Sequence, residues 1–305
     1  MKIISLDLKN IEPLTKDTAL CLGTFDGVHL GHQKLIEKAK ELTKNIAVML
    51  IIPPISMKAI ETNNYPLTSL TDRKNIFKNL GVKTLIIATL NDKFKELEPK
   101  EFINQVLNKL KPHYVIVGED YHFGKKALGD VKTLLDASKD FELYAVSHVL
   151  TKNGLKVSTT LIRELLKKGD LEEATILLSR PYEVKGFVIK GHGLGKKLGY
   201  PTANIELLFS YQLPKDGVYF VEIILNNIKC YGMANIGLRP SVNPLITPLL
   251  EVHIFDFKED IYKEELSIRF LKYIREETKQ ESMGKLIKQL QKDEEVCRKL
   301  IKEMR

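Results

Sequence analysis

The string Gly23-Thr-Phe-Asp-Gly27-Val-His29-Leu-Gly31-His32 carries the densest chemistry of this 305-residue chain. Glycines at 23, 27 and 31 let the backbone approach a phosphate closely. Two histidines three residues apart can face one side of a helical turn. At a helix start, where N–H groups point outward, such a set can hold a triphosphate. The imidazoles would then donate hydrogen bonds as charge shifts during attack at the α-phosphorus. A lone H-x-x-H would equally fit a turn with two incidental histidines or a zinc site. The full glycine-framed string favours phosphate chemistry, with His29 and His32 as candidate catalytic residues. Gly23, Phe25, Asp26 and Gly31 are then candidates for binding the nucleotide.

A second constellation lies far downstream. Gly186-Phe-Val-Ile-Lys-Gly191-His-Gly193-Leu-Gly195-Lys196-Lys-Leu-Gly199-Tyr is glycine-rich and ends in Pro201-Thr202-Ala-Asn204. About fifty residues later, Leu250, Val252 and Ile254 alternate, which puts Glu251 and His253 on the opposite face of a strand. A strand glutamate is by default solvent-facing, and a Gly-rich hairpin ending in Pro-Thr is by default a turn. Two smaller segments complete the inventory. Val117-Gly-Glu-Asp120-Tyr121-His-Phe123-Gly124 follows an apolar run, and its aromatic rings could pack locally or stack on a planar ligand. Val157-Ser158-Thr159-Thr160-Leu-Ile-Arg163 opens a helical pattern, where hydroxyls ordinarily serve as caps.

Two kinds of scaffold must position these strings. Over the first 180 residues, short apolar runs at 19–23, 46–52, 85–88 and 114–118 alternate with helical patterns at 33–43, 73–80 and 100–110. Apolar strands alternating with helices imply a parallel sheet covered on both faces. Such sheets bind ligands in the loops beyond the carboxyl ends of their strands, where the strings after Leu22 and Val117 fall. Composition changes near Arg180-Pro181. Short strands at 184–190, 217–225, 228–234, 249–257 and 265–270 then alternate with Gly, Pro and Asn-Asn turns, as in an antiparallel barrel or sandwich. Met283, Leu286, Leu290, Cys297, Leu300 and Met304 mark a last helix that packs on it. The predicted domains are 1–180, a Rossmann-like α/β domain with a parallel sheet, and 181–305, an antiparallel β-barrel with a terminal helix.

Composition narrows the function classes. Lysine plus arginine exceed acids by 47 to 39, a modest excess that suits anionic small substrates. Glutamates interleave with the C-terminal lysines, so that stretch is a solvated helix face and no nucleic-acid stripe is expected. The longest apolar run, 46–55, is interrupted by Pro53 and Pro54 and is too short for a bilayer. Three widely spaced cysteines without metal-ligand spacing, and a start (MKIISLDLKNIEPL) lacking a leader-like apolar stretch, suggest a cytoplasmic protein.

The five strings, in this order, resemble the prokaryotic bifunctional riboflavin kinase/FAD synthetase family. The first resembles the nucleotidyltransferase signature; the segment 117–124 resembles the family's G-x-D-F-x-F-G loop, and 157–163 its S-S/T-T-x-I-R stretch. The resemblance implies FMN adenylylation in the N-terminal domain, with Ser158, Thr159 and Arg163 on ATP phosphates and Asp120, Tyr121 and Phe123 near the flavin. Leu67-Thr-Ser-Leu-Thr-Asp-Arg-Lys74 matches a helix entry of the family, with no chemistry attached. The downstream string resembles the riboflavin kinase signature ending in P-T-A-N. It implies Gly193 and Lys196 on a flap over ATP, Thr202 and Asn204 on Mg²⁺ and phosphates, and Glu251 as the general base. Asn235-Ile-Gly-Leu-Arg239-Pro240-Ser241 resembles N-I-G-x-R-P-T, and Ile274-Arg275-Glu276-Glu277 resembles the stretch near the flavin, which implies flavin contact by Arg275.

The implied substrates are riboflavin, FMN and ATP, with FAD as product, Mg²⁺ as cofactor and no nucleic-acid or membrane partner; the oligomeric state is undetermined. The sequence departs from the pattern at several places, Ser241 in place of threonine among them. Ile51-Ile-Pro53-Pro54-Ile55 replaces Phe-x-Pro-His-Pro, Lys196 replaces arginine, and Gln280 stands where phenylalanine is usual. The departure at 51–55 leaves open a riboflavin kinase with weakened or lost adenylyltransferase activity. A synthetase-like or cytidylyltransferase reading rests on H-x-G-H alone, and a flavin-binding regulator without turnover is the alternative of another class.

Overall fold

The computed structural model describes residues 1–52, 62–138, 140–191, 195, 198–238, 248–278 and 281–304. Several expectations from sequence therefore lie outside the described residues: Pro53 to Ile55 of the altered loop, Gly193, Lys196, Arg239 to Ser241, and Gln280. The chain forms two compact units, Met1–Leu161 and Ile162–Arg305.

The first unit is built on a six-stranded parallel sheet in the order β1-β4-β3-β2-β5-β6. Its strands are β1 (Lys2–Ser5), β2 (Thr18–Gly23), β3 (Asn45–Ile52), β4 (Thr84–Thr89), β5 (Tyr114–Gly118) and β6 (Glu142–Val146). Helix α1 (Leu30–Leu42) follows β2, α2 (Leu70–Asn79) precedes β4, and α3 (Val131–Ala137) lies between β5 and β6. A helical run covering 99–110 precedes β5.

Two-residue periodicity explains why both faces must be covered. Along β2, Leu20 and Leu22 enter one core while Ala19 and Cys21 enter the other. Along β3, Met49 and Val48 divide in the same way. Each fully buried leucine contributes about 2 kcal/mol of transfer free energy, so polar residues in these runs would be costly. The order of strands reverses between β2 and β5, because β3 and β4 lie on one side of β2 while β5 and β6 lie on the other. A crevice opens there, outside the carboxyl ends of β2 and β5.

The second unit begins with the remainder of α4 (Thr159–Lys168) and with α5 (Leu171–Leu178). The division thus falls at Leu161, earlier than the composition shift near 180, because α5 packs on strands of the barrel. That barrel is closed and antiparallel, in the order β10-β11-β8-β7-β12-β9. It comprises β7 (Tyr182–Ile189), β8 (Ala203–Leu207), β9 (Gly217–Leu225), β10 (Ile228–Leu238), β11 (Pro248–Ile254) and β12 (Glu265–Arg275). Closure leaves no exposed sheet edge. Tyr219, Val221, Ile223, Ile268 and Phe270 fill the interior, all at or near zero exposure.

Helix α6 (Met283–Glu303) packs outside, burying Cys297 against Phe220, Met233 and Phe255. Two ion pairs fasten it. Arg298 grips Asp256 with bonds of 2.8 and 3.0 Å while its guanidinium lies 5.0 Å from the Phe255 ring. Asp293, only 2 % exposed, holds Arg275.

Candidate active sites

In the first unit the glycine-framed string leaves β2 and enters α1 through a tight, left-handed turn. Phe25, Gly27 and Val28 have φ values of 50°, 78° and 42°. Such values are unfavourable for Phe and Val, so surrounding contacts must hold them. Phe25 is fully buried, with its ring 4.9 Å from His32 and edge-on to Phe77 at 5.5 Å. The Asp26 carboxylate accepts hydrogen bonds from the Leu67 and Thr68 backbone N–H groups and from the Thr68 hydroxyl, at 3.0 to 3.1 Å. Arg73, 5 % exposed, donates to the Thr24 carbonyl at 2.9 Å from behind the same turn. The segment 67–74, matched only as a helix entry in the sequence, is therefore the clamp of the turn.

That clamp aims the two imidazoles. His29 and His32 stack with centroids 3.7 Å apart and line a cavity of about 370 Å³. Burial, reinforced by the neighbouring His29 and Arg73, holds the His32 pKa well below the ordinary 6.5, so its ring stays neutral at neutral pH. Its Nδ1 is buried with no hydrogen-bond partner among the described residues. Gly31 keeps the ring of His29 in place, since an added Cβ would sit 3.1 Å from it. Across the cavity lie Gly118 at the end of β5 and Asp120 just after it, and Lys156, Ser158 and Thr159 before and within α4. Thr159 donates to the Asp26 carbonyl at 3.1 Å, and the Ser158 hydroxyl accepts from Leu161 N–H at 3.2 Å. Burial works against the Asp120 carboxylate, yet its ion pair with Lys156, aided by His148, holds its pKa below the usual carboxylate range.

A second cavity of about 570 Å³ shares Gly23, Thr24, Tyr121 and His122 with the first. Its walls are apolar: Ile51, Leu90, Phe94, Phe102 and Phe123. The Tyr121 and Phe123 rings lie nearly parallel, 5.8 Å apart and 11° inclined. Lys125 and Lys126 stand at its edge. Thus one strand-end loop faces a polar, basic cavity on one side and a flat aromatic one on the other.

In the second unit, three adjacent strands bring Asn235, Glu251 and Asn204 abreast: Asn235 pairs with Glu251, and Glu251 with Asn204. All three line a cavity of about 320 Å³ together with Thr202. Asn204 is 6 % exposed and lies against Gly191, where any Cβ would collide with its amide. Gly195 passes equally close to the Tyr200 carbonyl. On the far wall, Asn235 Nδ2 donates to Glu277 at 3.1 Å, and Leu286 and Leu290 of α6 supply apolar surface. Arg275 also lines the cavity, but its guanidinium is occupied: Nε and Nη2 donate to Asp293 at 2.9, 3.0 and 2.7 Å, and Nη1 donates to the Glu276 carbonyl at 2.8 Å. Gln289 completes the Asp293 shell at 2.8 Å.

The family model described as Riboflavin kinase matches residues 178–301, and the one described as FAD synthetase matches residues 11–161. Proteins called bifunctional riboflavin kinase/FMN adenylyltransferase match nearly end to end. The protein from Buchnera aphidicola of Schizaphis graminum is 35% identical, with 98% of each chain covered. Those from Bacillus subtilis and Escherichia coli are 36% and 32% identical, covering 91% and 92% of this chain and 90% and 91% of their own. This chain belongs to that family. A crystal structure from Streptococcus pneumoniae described as a macrolide-efflux protein has the same fold throughout, with a TM-score of 0.89, 31% identity and coverage of 98% and 99%. Among the described residues, no helix is long and apolar enough to cross a membrane.

The structure brings most of the residues selected from sequence to these cavities. His29, His32, Gly23, Gly31, Asp120, Ser158 and Thr159 line the first; Tyr121 lines both cavities of the first unit, and Phe123 the second. Thr202, Asn204, Glu251 and Arg275 line the third. Phe25 and Asp26 are not among the lining residues of either cavity of the first unit, because both side chains are spent holding the turn. Arg163 lies on α4 beyond the point where the compact units divide. Sequence reading missed Arg73, Lys156, Asn235 and Asp293. Arg73 and Asn235 sat in strings already singled out for a family resemblance without a role; Asp293 looked like any charge on a mixed helix face.

Proposed function

We propose that the chain makes FAD from riboflavin in two ATP-dependent steps, one in each unit. Adenylyl transfer is assigned to the sequence domain 1–180 and phosphorylation to 181–305. What carries this reading is that the N-terminal family motifs converge on one cavity and the C-terminal ones on another, in a chain whose relatives bear both activities in their names.

In the barrel, Glu251 accepts the proton of the ribityl 5′-hydroxyl as that oxygen attacks the γ-phosphorus of ATP. The bond from the γ-phosphorus to the β–γ bridging oxygen breaks, and ADP leaves. Thr202 and Asn204 offer a hydroxyl and an amide oxygen, hard donors suited to Mg²⁺, which keeps water and phosphate ligands. Among the described residues no group of three or more His, Cys, Asp or Glu could hold a metal. The fit is therefore to an ion brought with ATP, which Thr202 and Asn204 would orient and which would neutralise phosphate charge when bound. The apolar wall of Leu286 and Leu290 suits the isoalloxazine, with Arg275 shaping the approach.

In the first unit, an FMN phosphate oxygen attacks the α-phosphorus of ATP and pyrophosphate leaves. The start of α1 and the His29–His32 pair stabilise the phosphate charge, while Ser158 and Thr159 bind phosphates, a role that the family resemblance also gives Arg163. The aromatic cavity beside Tyr121 and Phe123 takes the flavin, and the shared wall at Gly23 and Thr24 is where the two substrates meet. The substrates are small molecules, and the three cysteines are free, with burial pushing Cys297 up to about 12, as suits a reducing cytoplasm.

Purified protein incubated with riboflavin, ATP and Mg²⁺, with flavins separated by chromatography, tests the whole reading. FAD is expected. FMN alone, persisting when FMN itself is supplied, would leave a kinase beside an inactive nucleotidyltransferase unit.

A further inference from the structure

Pairing between β8 and β11 ends at Ala203 and Val252. One step further, Thr202 would face His253, but the chain turns away through Pro201, so the main-chain ladder cannot continue. The His253 side chain takes over at this point: its Nδ1 lies 2.8 Å from the Pro201 carbonyl oxygen. A carbonyl has no proton to give, so Nδ1–H is the donor. The Tyr200 ring lies edge-on to His253 at 5.2 Å, and Phe255 packs on it at 5.8 Å, which leaves the imidazole little freedom. An added Cβ at Gly195 would collide with the Tyr200 carbonyl oxygen and lie 3.1 Å from the Thr202 hydroxyl, so only glycine fits beside this turn.

The consequence follows from peptide geometry. The Pro201 carbonyl and the Thr202 N–H belong to one rigid plane. Fixing the carbonyl oxygen therefore fixes the Thr202 N–H and the direction in which its side chain leaves. We propose that His253 is a positioning residue of the kinase site, holding the Pro201–Thr202 peptide so that the Thr202 hydroxyl meets the metal–nucleotide phosphates. It rests on the assignment of the barrel cavity to riboflavin phosphorylation. His253 neighbours Glu251 by two residues on the same face and takes no proton from the substrate.

Two isosteric replacements test it. Asparagine places an amide N–H where histidine has Nδ1, whereas glutamine places it where histidine has Nε2. His253→Asn should keep the hydrogen bond to Pro201; His253→Gln and His253→Ala should lose it. With the full chain, the latter two should raise the KM for MgATP in riboflavin phosphorylation by about tenfold, the size of one lost hydrogen bond, with a smaller change in the KM for riboflavin. His253→Asn should stay within about twofold of the parent. A second readout needs no turnover: amide hydrogen exchange over residues 200–204 should accelerate in the Gln and Ala variants and match the parent in the Asn variant.

FMN adenylylation, measured on the same preparations, should be unchanged in all three. Equal damage by Asn and Gln, or parent-like MgATP affinity and exchange in all three, would overturn the proposal. If the parent protein itself fails to phosphorylate riboflavin, the site assignment fails instead, and the exchange data still decide whether His253 holds the loop.

Discussion

On the proposed assignment of their cavities, the two units meet one problem, the control of phosphate charge, with opposite materials. In the parallel-sheet unit the working groups are neutral or cationic: two stacked imidazoles, one of them held neutral by burial, the start of a helix, and Lys156 facing Asp120. In the barrel the central groups are a carboxylate and neutral oxygen donors, Glu251 with Asn204 and Thr202. The difference matches the nucleophile each would activate. A phosphate oxygen of FMN is already anionic and needs charge stabilisation, whereas a sugar hydroxyl must lose a proton and needs a base. The lesson is that the kind of side chain at the cavity follows the protonation of the attacking oxygen more than the identity of the shared co-substrate.

The largest expected effect sharpens that contrast. Glu251→Ala should lower kcat for riboflavin phosphorylation by about 10³-fold, the usual scale for a lost general base, while FMN adenylylation continues. A comparable loss in both reactions, in folded protein, would break the division of labour.

The second effect is one of stability and is confined to the barrel. Asp293→Ala would leave Arg275 with an unpaired charge beside the kinase cavity, a change that costs about 3 kcal/mol when a buried pair is broken. Scanning calorimetry should show the transition of the second unit lowered and that of the first in place. One shared shift of both transitions would show that the units do not melt separately.

Next, His29→Ala should slow FMN adenylylation by about 10²-fold, the cost of one lost hydrogen-bond donor to a transition state, and spare the kinase. The smallest effect concerns pH. Because the folded-state pKa of His32 lies well below 6.5, the unfolded chain takes up a proton first as pH falls. The stability of the first unit is therefore complete above that value and declines below it, by at most about 1.4 kcal/mol per pH unit from this group. His32→Asn should flatten the pH dependence of melting of the first unit between pH 6.5 and 5; an unchanged slope would show that another group is responsible.

Local pattern was enough for much of this molecule. Apolar runs of four to eight residues alternating with helical stripes specify strands buried on both faces, and glycines spaced by four at a strand end specify a loop open to phosphate. Those features depend on near neighbours along the chain, so residues 19–32, 114–124 and 201–204 could be read directly. The barrel strand at 217–225 was legible for the same reason, and the expected strand at 265–270 covers the first part of β12, whereas β8 was hidden behind its proline.

What the sequence alone determined, then, is the class of each unit and the strings in which its chemistry is to be sought. Tertiary structure alone decided which of them share a cavity and which only hold it. Asp26 reads like a ligand but is bound to Leu67 and Thr68, forty residues away; Asp293 reads like solvent-facing charge but neutralises Arg275 across the helix–barrel seam. His253 acquires its partner only because a neighbouring strand ends one residue short. Hydrogen bonds and ion pairs of this kind are set by three-dimensional proximity and by burial, and neither quantity is written in the spacing of residues along one chain.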